Sequence, residues 1–395
     1  MKAVFVSDIH LGKYKYGKID KETGSDLRTK DILNNIDQSI DFAIKKKVDY
    51  YFVLGDFYHT KKPLQIFRRL LASRISKVLK NNIIVYLLLG NHDQGKTAGH
   101  DLVELKEFDE LIKNFNVIDK PVTIESNNNC FCFLPCINKI DHNIKEEEEH
   151  NYNLENIKLL TKQAEKSSSK YKFFFGHFGT NISQVGQSFD LGTVETKLNR
   201  VIDIKLFDKN LWTRVYLGDI HKNQEMNDFC RHPGSIARVD FGEEDEQKGF
   251  YYFEDGKDEF IPVQDREFKT LFLDLTNDPR NTMTNFCNEV QDLDLSKAII
   301  RLKVKIKSSD KKLVNFAALE NYLKEESWNY IGRSTIEIDD RIESLQIKMD
   351  DELDYLKIFN DYLTLNQDQI EKTLFNDIKS EGIQILSEII NSDKQ

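Results

Sequence analysis

The sequence predicts an α/β protein in which two β-sheets pack face to face as a sandwich, with helices outside. A small α/β domain and C-terminal helices are predicted to follow. In the first half of the 395-residue chain, short apolar runs alternate with helical patterns, which indicates a layered α/β domain. Beyond about residue 124 the apolar runs follow one another closely, as two packed sheets require.

The alternation starts at the N-terminus. Short apolar runs bounded by polar residues or glycine predict the first three strands, at Lys2–Ser7, Tyr50–Leu54 and Ile83–Leu89. Between these strands, isoleucines recur at helical spacing in Asp26–Lys47, and Leu64–Lys80 has a similar apolar face. Both segments are therefore predicted to be helices.

The later strands lie in two groups. Those of the sandwich are predicted at Cys130–Leu134, Lys172–Phe175, Arg214–Leu217, Ser235–Asp240 and Gly249–Glu254. Near Pro262 the character of the chain changes. Beyond it we predict strands at Phe268–Leu275 and Lys297–Lys307, and helices at Asn281–Gln291 and Lys311–Glu325. The domains are therefore expected at residues 1–264 and 265–338, followed by a helical segment at 339–395.

The helical segment 339–395 contains no proline, and its one glycine is Gly382. Apolar residues at helical spacing mark two helices, with Leu353, Leu356, Phe359 and Leu363 on one and Ile370, Leu374 and Ile378 on the other. An exposed apolar face of this kind needs a cover. Two alternatives stay open: the helices pack on their own chain, or they bind a partner.

The composition, with 39% hydrophobic and 31% charged residues, is typical of a globular protein. The chain has no apolar run long enough to cross a bilayer, and the start MKAVFVSDIH has no signal-peptide pattern. We therefore expect a cytoplasmic protein without membrane contact. The odd number of cysteines, five, fits a reducing compartment. Cys130, Cys132 and Cys136 lack a second metal-binding pair, which argues against structural zinc.

The net charge of −10 argues against a protein that coats nucleic acid by charge alone. It does not exclude a nuclease, because carboxylates that bind cations count as negative until the cations are present. One loop, HLGKYKYGK, interleaves Lys13, Lys15 and Lys18 with Tyr14 and Tyr16. This pattern suits phosphate contacts and base stacking, or it is an ordinary solvated loop.

Five apolar runs end in aspartate, asparagine or histidine. These residues are Asp8 and His10, Asp56 and His59, Asn91, His92 and Asp93, His177, and Asp219 and His221. Because functional groups in layered α/β folds gather at the carboxyl ends of strands, we expect them to converge. Carboxylate, amide and imidazole groups suit divalent ions such as Mn²⁺. Two such ions ~3.5 to 4 Å apart stabilise both the attacking and the leaving oxygen of a phosphoryl displacement.

The stretch LLLGNHDQGKTAG, residues 87–99, offers an alternative. It contains the residues of a phosphate-binding P-loop at the required spacing, namely Gly90, Gly95, Lys96 and Thr97. The interior of that loop would include His92 and the anionic Asp93, which would repel phosphate. The metal interpretation uses these residues and also explains the other four strand ends, so we favour it over nucleotide binding.

The motifs D-x-H, G-D-x-x-H, G-N-H-D, G-H and G-D-x-H, in this order, resemble those of the calcineurin-like metallophosphoesterase superfamily. More narrowly, they resemble the SbcD-type DNA-repair nuclease subunits, and His232–Glu254 is similar to the stretch that closes the SbcD nuclease domain. The segment after Pro262 resembles the family's DNA-capping domain, and the terminal helices resemble its attachment to an SbcC-type coiled-coil ATPase. The resemblance thus implies a homodimer that binds DNA and two copies of that ATPase.

The resemblance also implies a role for each site residue. One divalent ion would bind Asp8, His10, Asp56 and His221, and Asp56 would bridge to a second ion held by Asn91, His177 and Asp219. His92 would stabilise the transition state or protonate the leaving oxygen, with Asp93 orienting its imidazole. His59 would help to position the substrate. The nucleophile would be water activated by the metal rather than a side chain.

One residue departs from the pattern of the family. The last motif usually reads G-H-x-H, and Asp219 stands where the first of those histidines is expected. A carboxylate adds negative charge and a harder oxygen. We therefore expect Asp219 to bind the metal and to favour Mn²⁺ or Mg²⁺ over softer ions.

The function implied by the resemblance is that of a Mn²⁺-dependent DNA nuclease subunit, with Mg²⁺ as the alternative metal. It would act as a 3′-to-5′ exonuclease on duplex ends and as an endonuclease on single strands or hairpins. The residue spacing alone supports only two-metal hydrolysis of phosphodiesters or phosphomonoesters. Two alternatives stay open: a metallophosphoesterase for small phosphoesters or phosphoproteins, and a non-catalytic scaffold that recruits the ATPase to DNA.

Overall fold

The structure, a computed structural model, describes residues 1–338 except positions 14, 23, 94–112, 138–147 and 185–200. Beyond residue 338 it describes only residues 359, 363, 375 and 378–383. Several residues singled out in the sequence therefore lie outside the described residues: Tyr14, Gly95, Lys96, Thr97, Leu353, Leu356, Ile370 and Leu374.

The chain divides into two compact units. One contains Met1–Lys305 and Leu313–Ile336, and the other contains Ile306–Lys312 and Glu337–Gln395. The predicted domain boundaries, at residues 264 and 338, remain predictions. Among the described residues, no helix combines the length and the apolar character needed to span a bilayer.

The strands are β1 (Lys2–Val6), β2 (Tyr50–Leu54), β3 (Ile84–Leu88), β4 (Phe115–Ile118), β5 (Val122–Ser126), β6 (Asn129–Leu134), β7 (Tyr171–His177), β8 (Gly179–Thr180), β9 (Val201–Ile202), β10 (Arg214–Gly218), β11 (Gln224–Glu225), β12 (Cys230–His232), β13 (Gly249–Glu254), β14 (Lys257–Pro262), β15 (Glu267–Asp274), β16 (Ala298–Lys307) and β17 (Asn329–Ile338). The α-helices are α1 (Leu27–Lys46), α2 (Gln65–Leu79), α3 (Glu149–Lys166), α4 (Thr282–Val290) and α5 (Phe316–Glu326).

Two six-stranded sheets form the main part of the fold. The first has the strand order β14-β13-β1-β2-β3-β4, and β1 to β4 run parallel to one another. The second has the order β11-β12-β10-β7-β6-β5, in which β6, β7 and β10 are parallel. The parallel strands therefore end together at one edge of each sheet, where loops can bring functional groups together.

The two sheets pack against each other through aromatic side chains. The ring centroids of Phe5 and Tyr216 lie 4.0 Å apart, and those of Phe52 and Phe175 lie 4.6 Å apart. All four side chains are buried, so their removal from water stabilises the contact between the sheets. The predicted sandwich is thus confirmed.

Helices cover the outer faces of the sandwich. Helix α1 begins after Asp26, whose carboxylate accepts a hydrogen bond from the backbone N–H of Thr29 at 2.7 Å, as a helix N-cap requires. Its apolar stripe, which includes Ile36 and Ile40, is buried against the first sheet. Helix α3 covers the second sheet, where Cys130 and Cys132 are packed among apolar residues.

A third sheet consists of β15, β16 and β17. Along β16, Ile300, Leu302 and Val304 are fully buried while the residues between them are partly exposed, which gives the strand one apolar face. Helix α4 packs on β15 and contacts α5. The two strands and two helices predicted after Pro262 are present, and β17 is an additional strand that we did not predict.

One predicted strand is wrong. Apart from an isolated bridge, Ser235–Asp240 forms no strand. Its backbone is held by carboxylates: the N–H of Arg238 donates to Asp265 at 2.8 Å, and the N–H of Val239 donates to Glu243 at 2.9 Å. Because side chains satisfy these backbone groups, the segment needs no neighbouring strand and follows an irregular path.

Candidate metal centre

The carboxyl ends of five strands, β1, β2, β3, β7 and β10, meet at one end of the sandwich. The ten residues predicted from the sequence lie at or just beyond the ends of these strands and come together: Asp8, His10, Asp56, His59, Asn91, His92, Asp93, His177, Asp219 and His221. The two sheets contribute to the same site, since His177 of β7 contacts Asp56 after β2.

Four of these residues have an unusual backbone conformation. The φ angles of Asp8 and His10 are both 48°, that of Asp56 is 52° and that of Asp219 is 80°. Positive φ is rare outside glycine, and Asp, Asn and His tolerate it best. Such angles turn the chain sharply as it leaves each strand, so that the side chains point into the site. Conformations of this kind concentrate at functional sites.

Three glycines make room for the side chains of the site. A Cβ on Gly55 or Gly218 would collide with the Nδ1 atom of His177, and a Cβ on Gly90 would collide with Asp56 Oδ1. These positions therefore require glycine because a ring or a carboxylate approaches the backbone closely.

The first group of donor atoms comprises Asp8, His10 and His221, whose donor atoms lie within 4.8 Å of one another. The Nε2 atoms of His10 and His221 face each other at 3.0 Å. Two nitrogens that bind the same ion, each at about 2.1 Å and at right angles to each other, would be ~3 Å apart. The observed spacing therefore fits a shared ion. Asp56 Oδ2 lies 3.8 Å from His10 Nε2.

The second group comprises Asp8, Asp56 and His177, again with donor atoms within 4.8 Å of one another. The Nδ1–H of His177 donates to the carbonyl of Leu54 at 2.8 Å, which leaves the Nε2 atom for a ligand. Three oxygens surround that Nε2 atom: Asn91 Oδ1 at 3.1 Å, Asp56 Oδ1 at 3.5 Å and Asp219 Oδ1 at 3.8 Å. Asp8 belongs to both groups, and the Asp56 carboxylate reaches both.

The electrostatics of the second group favour a positive charge. Burial disfavours the charged imidazole of His177, but Asp56 and the other nearby carboxylates outweigh it and raise its pKa to about 10. Burial also raises the pKa of Asp8. Buried carboxylates around one imidazole need a compensating cation, which is either a proton or a metal ion.

His92 lies at the open side of the site, with its side chain 36% exposed. Its Nε2 atom is 4.0 Å from Asp56 Oδ2, and its Nδ1–H donates to the carbonyl of His59 at 2.8 Å. The expected contact with Asp93 is replaced, because the Asp93 carboxylate accepts instead from the backbone N–H groups of Asp56 at 2.7 Å and Gly90 at 2.9 Å. Asp93 thus fixes the loops rather than the imidazole.

His59 forms a third cluster with His10 and His92. Its ring stacks on that of His92, with a centroid distance of 5.6 Å and an interplanar angle of 16°. Burial and the nearby Lys13 lower the pKa of His59 to about 4, so the ring is neutral near pH 7. The carbonyl of His59 orients His92, which is a contact that the sequence did not predict.

Sequence reasoning missed Glu243 and Lys248. Glu243 Oε1 accepts from His221 Nδ1–H at 2.8 Å, and Glu243 Oε2 lies 2.8 Å from the ammonium of Lys248. Both residues are buried. They lie inside His232–Glu254, a stretch that stands out in the sequence only for its resemblance. Glu243 follows His221 by 22 residues, so no local spacing connects the two.

The fold and the site define a phosphoesterase with a metal centre. Residues 1–223 match the family described as calcineurin-like phosphoesterase, and the chain belongs to this family. This match confirms the class of enzyme predicted from the sequence, a metallophosphoesterase hydrolase.

The more specific resemblance to nucleases is also found. The chain is 25% identical over 259 residues to the SbcD component of the SbcCD nuclease of Staphylococcus epidermidis, which covers 63% of this chain and 65% of that protein. It is 34% identical over 128 residues to the DNA double-strand break repair protein Mre11 of Saccharolobus solfataricus, covering 32% and 31% of the two chains. With Mre11 of Sulfurisphaera tokodaii the identity is 35% over 119 residues, covering 29% and 28%.

Proposed function

We propose that this chain is the metal-dependent DNA nuclease subunit of an SbcCD-like repair or recombination complex. The observation that carries this proposal is the pair of donor groups that share Asp8, with the Asp56 carboxylate in the second group and 3.8 Å from His10 Nε2 of the first. Their carboxylate, imidazole and amide atoms suit divalent ions such as Mn²⁺ or Mg²⁺, and the site contains no cysteine among the described residues. The similarity to the Staphylococcus SbcCD nuclease component and to Mre11 supports DNA as the substrate.

The site residues have separate roles in this proposal. Asp8, His10, Asp56 and His221 hold one ion, while Asp56, Asn91, His177 and Asp219 hold the other. Two divalent ions held there would supply an activated water and would stabilise charge on the phosphate oxygens. His92, which is accessible and oriented by the His59 carbonyl, stabilises the transition state or protonates the leaving oxygen.

The finer parts of the proposal concern substrates and partners. We propose 3′-to-5′ exonuclease activity on duplex ends and endonuclease activity on single strands or hairpins, with Mn²⁺ as the metal. The chain would act as a homodimer, and residues 339–395 would bind an SbcC-type coiled-coil ATPase. The name of the Staphylococcus relative, one of the subunits of SbcCD, supports an assembly of this kind.

The test is degradation of an end-labelled DNA duplex by the purified chain in Mn²⁺, Mg²⁺ or chelator, with and without an SbcC-type ATPase. We expect shortening that needs the metal. The variant His92→Asn should slow it by roughly 10²- to 10⁴-fold, the contribution expected of a proton donor, without loss of metal binding. The matched control is His150→Asn. His150 lies on α3, which covers the second sheet, and it is not one of the ten site residues.

Three outcomes would contradict the proposal. Shortening that needs Lys96, tested with Lys96→Ala, but not His92 would indicate a phosphate-binding loop. Hydrolysis of a small chromogenic phosphodiester without hydrolysis of DNA would indicate a small-molecule phosphoesterase. Failure to bind any divalent ion would leave a non-catalytic scaffold.

A further inference from the structure

We propose that Glu243 and Lys248 are positioning residues, which hold the imidazole of His221 in the orientation and tautomer needed to bind a metal ion. This inference rests on the proposed function, because it assigns His221 as a ligand. Neither residue contacts the substrate in this proposal. Both act through His221.

The contact between Glu243 and His221 fixes the imidazole. Since the carboxylate of Glu243 can only accept, the Nδ1 atom of His221 must carry the proton at their 2.8 Å contact. The lone pair of His221 is then on Nε2, the atom that faces His10 Nε2 at 3.0 Å. A carboxylate that binds the second nitrogen of a ligating histidine fixes the tautomer and makes the ring a better ligand.

The ring of His221 depends on this contact more than the ring of His177 depends on its own, because it is less enclosed. Its side chain is 28% exposed, whereas that of His177 is fully buried. A partly exposed ring that lost its Nδ1 partner could rotate or change tautomer. The ligand would then be present but would not point its lone pair at the ion.

Lys248 holds the carboxylate in turn. Its ammonium lies 2.8 Å from Glu243 Oε2 and donates to the backbone carbonyl of His221 at 3.1 Å. The side chains of Glu243 and Lys248 are only 2% and 1% exposed. Lys248 therefore binds both the residue that orients His221 and the backbone of His221 itself. Two buried charges are costly to desolvate, and their contact with His221 gives a reason for keeping them.

The segment that carries Glu243 is also fixed on its far side. The short 3-10 helix Phe241–Glu243 begins with a ring that lies 5.0 Å from Phe268 of β15 and 5.3 Å from Tyr16, centroid to centroid. The next residue, Glu244, accepts a hydrogen bond from the hydroxyl of Thr270 at 2.5 Å. The residues on either side of Glu243 are thus held by contacts with Tyr16 and with β15.

The experiment compares Glu243→Gln with Glu246→Gln in the full-length chain. Glu246 is the matched control, since its carboxylate also binds the Lys248 ammonium, at 2.7 Å, but has no described contact with His221. Calorimetric titration with Mn²⁺ should give two ions in the wild type. We expect Glu243→Gln to lower the affinity for one ion by about 10- to 100-fold and to leave the affinity for the other unchanged. Glu246→Gln should change neither affinity. Thermal unfolding of the metal-free proteins controls for stability.

A second measurement needs no metal and no variant. The nitrogen chemical shifts of labelled histidine in the metal-free wild type should show His221 protonated on Nδ1. A ring protonated on Nε2 but not on Nδ1 would overturn the inference. Binding of both ions that is unchanged, or weakened equally, in folded Glu243→Gln would overturn it too. If the wild type binds no ion, the proposed function fails, and the tautomer still decides whether Glu243 orients His221.

Discussion

His177 and His221 direct the same ring nitrogen into the metal centre, but different parts of the molecule hold them. The Nδ1–H of His177 donates to the backbone carbonyl of Leu54, and its ring is fully buried. The Nδ1–H of His221 donates to the Glu243 carboxylate, and its ring is 28% exposed. One ligand is held by the backbone of a neighbouring strand, and the other by a side chain from a distant segment.

This difference determines which substitutions can disturb each half of the centre. The position of His177 depends on β2 and on glycines that leave room for its ring, so only a change in local shape will displace it. The position of His221 depends on charged side chains, so a change of one functional group will release it. Asp56 contacts both halves, with Oδ1 3.5 Å from His177 Nε2 and Oδ2 3.8 Å from His10 Nε2.

The largest effect is expected for Asp56→Asn, which should impair metal binding in both halves of the centre. Asparagine tolerates the φ of 52°, so the backbone should be retained while one oxygen and the charge are lost. We expect the affinity for both ions to fall by more than about 100-fold, beyond the effect of losing a residue that only supports a ligand. Calorimetric titration with Mn²⁺ measures this.

The control for Asp56→Asn is Asp255→Asn. Asp255 has a similar φ, 49°, but its carboxylate is 70% exposed and pairs with the N-terminal ammonium at 3.1 Å. This variant should bind both ions as the wild type does. Loss of only one ion in Asp56→Asn would mean that Asp56 is not shared between the two halves.

A smaller effect, limited to the His177 half, is expected for Gly55→Ala. Gly55 has a φ of 94° and its Cβ would collide with the His177 ring, whereas Gly256 has a φ of 97° and open space around its Cβ. Each alanine should lower the free energy of unfolding by ~1 to 2 kcal/mol through backbone strain. Gly55→Ala should lower the free energy of unfolding more than Gly256→Ala does. It should also lower the affinity for the ion beside His177.

Chemical denaturation and Mn²⁺ titration of both glycine variants measure these effects. If the two variants lose the same stability and Gly55→Ala binds Mn²⁺ as the wild type does, the His177 ring moves aside without consequence. In that case the backbone would not hold His177 more firmly than Glu243 holds His221.

The same contrast explains what the sequence could predict. The two-sheet sandwich and the five strand ends could be predicted because each depends on a local pattern, an apolar run followed by Asp, Asn or His. The contact of Glu243 with His221 could not, since it joins residues 22 positions apart that no local pattern connects. The predicted strand at Ser235–Asp240 is wrong because the composition suits a strand, while the backbone N–H groups of Arg238 and Val239 donate to the carboxylates of Asp265 and Glu243.

The orientation of the His92 ring could not be predicted from the sequence either. Asp93 is its neighbour in the chain, but adjacent side chains need not face each other, and the carbonyl of His59 reaches the ring instead. Strand β17 was missed because Gly332, with a φ of 130°, interrupts its alternation of apolar and polar residues. The case of His92 shows that a local pattern can locate a functional residue without predicting its contacts.

The smallest effect is expected for Asp219→His, which should change the metal preference of the His177 half without abolishing metal binding. Asp219 has a φ of 80°, which histidine tolerates, and its Oδ1 lies 3.8 Å from His177 Nε2. Exchanging a hard oxygen for an imidazole nitrogen should shift the preference from Mn²⁺ towards Zn²⁺ by roughly tenfold, which is about 1.4 kcal/mol. Competitive titration with the two metals measures the ratio, and the exposed Asp228→His serves as the control. An unchanged ratio in Asp219→His would mean that Asp219 does not bind the metal, and that the ion beside His177 is held by Asp56, Asn91 and His177 alone.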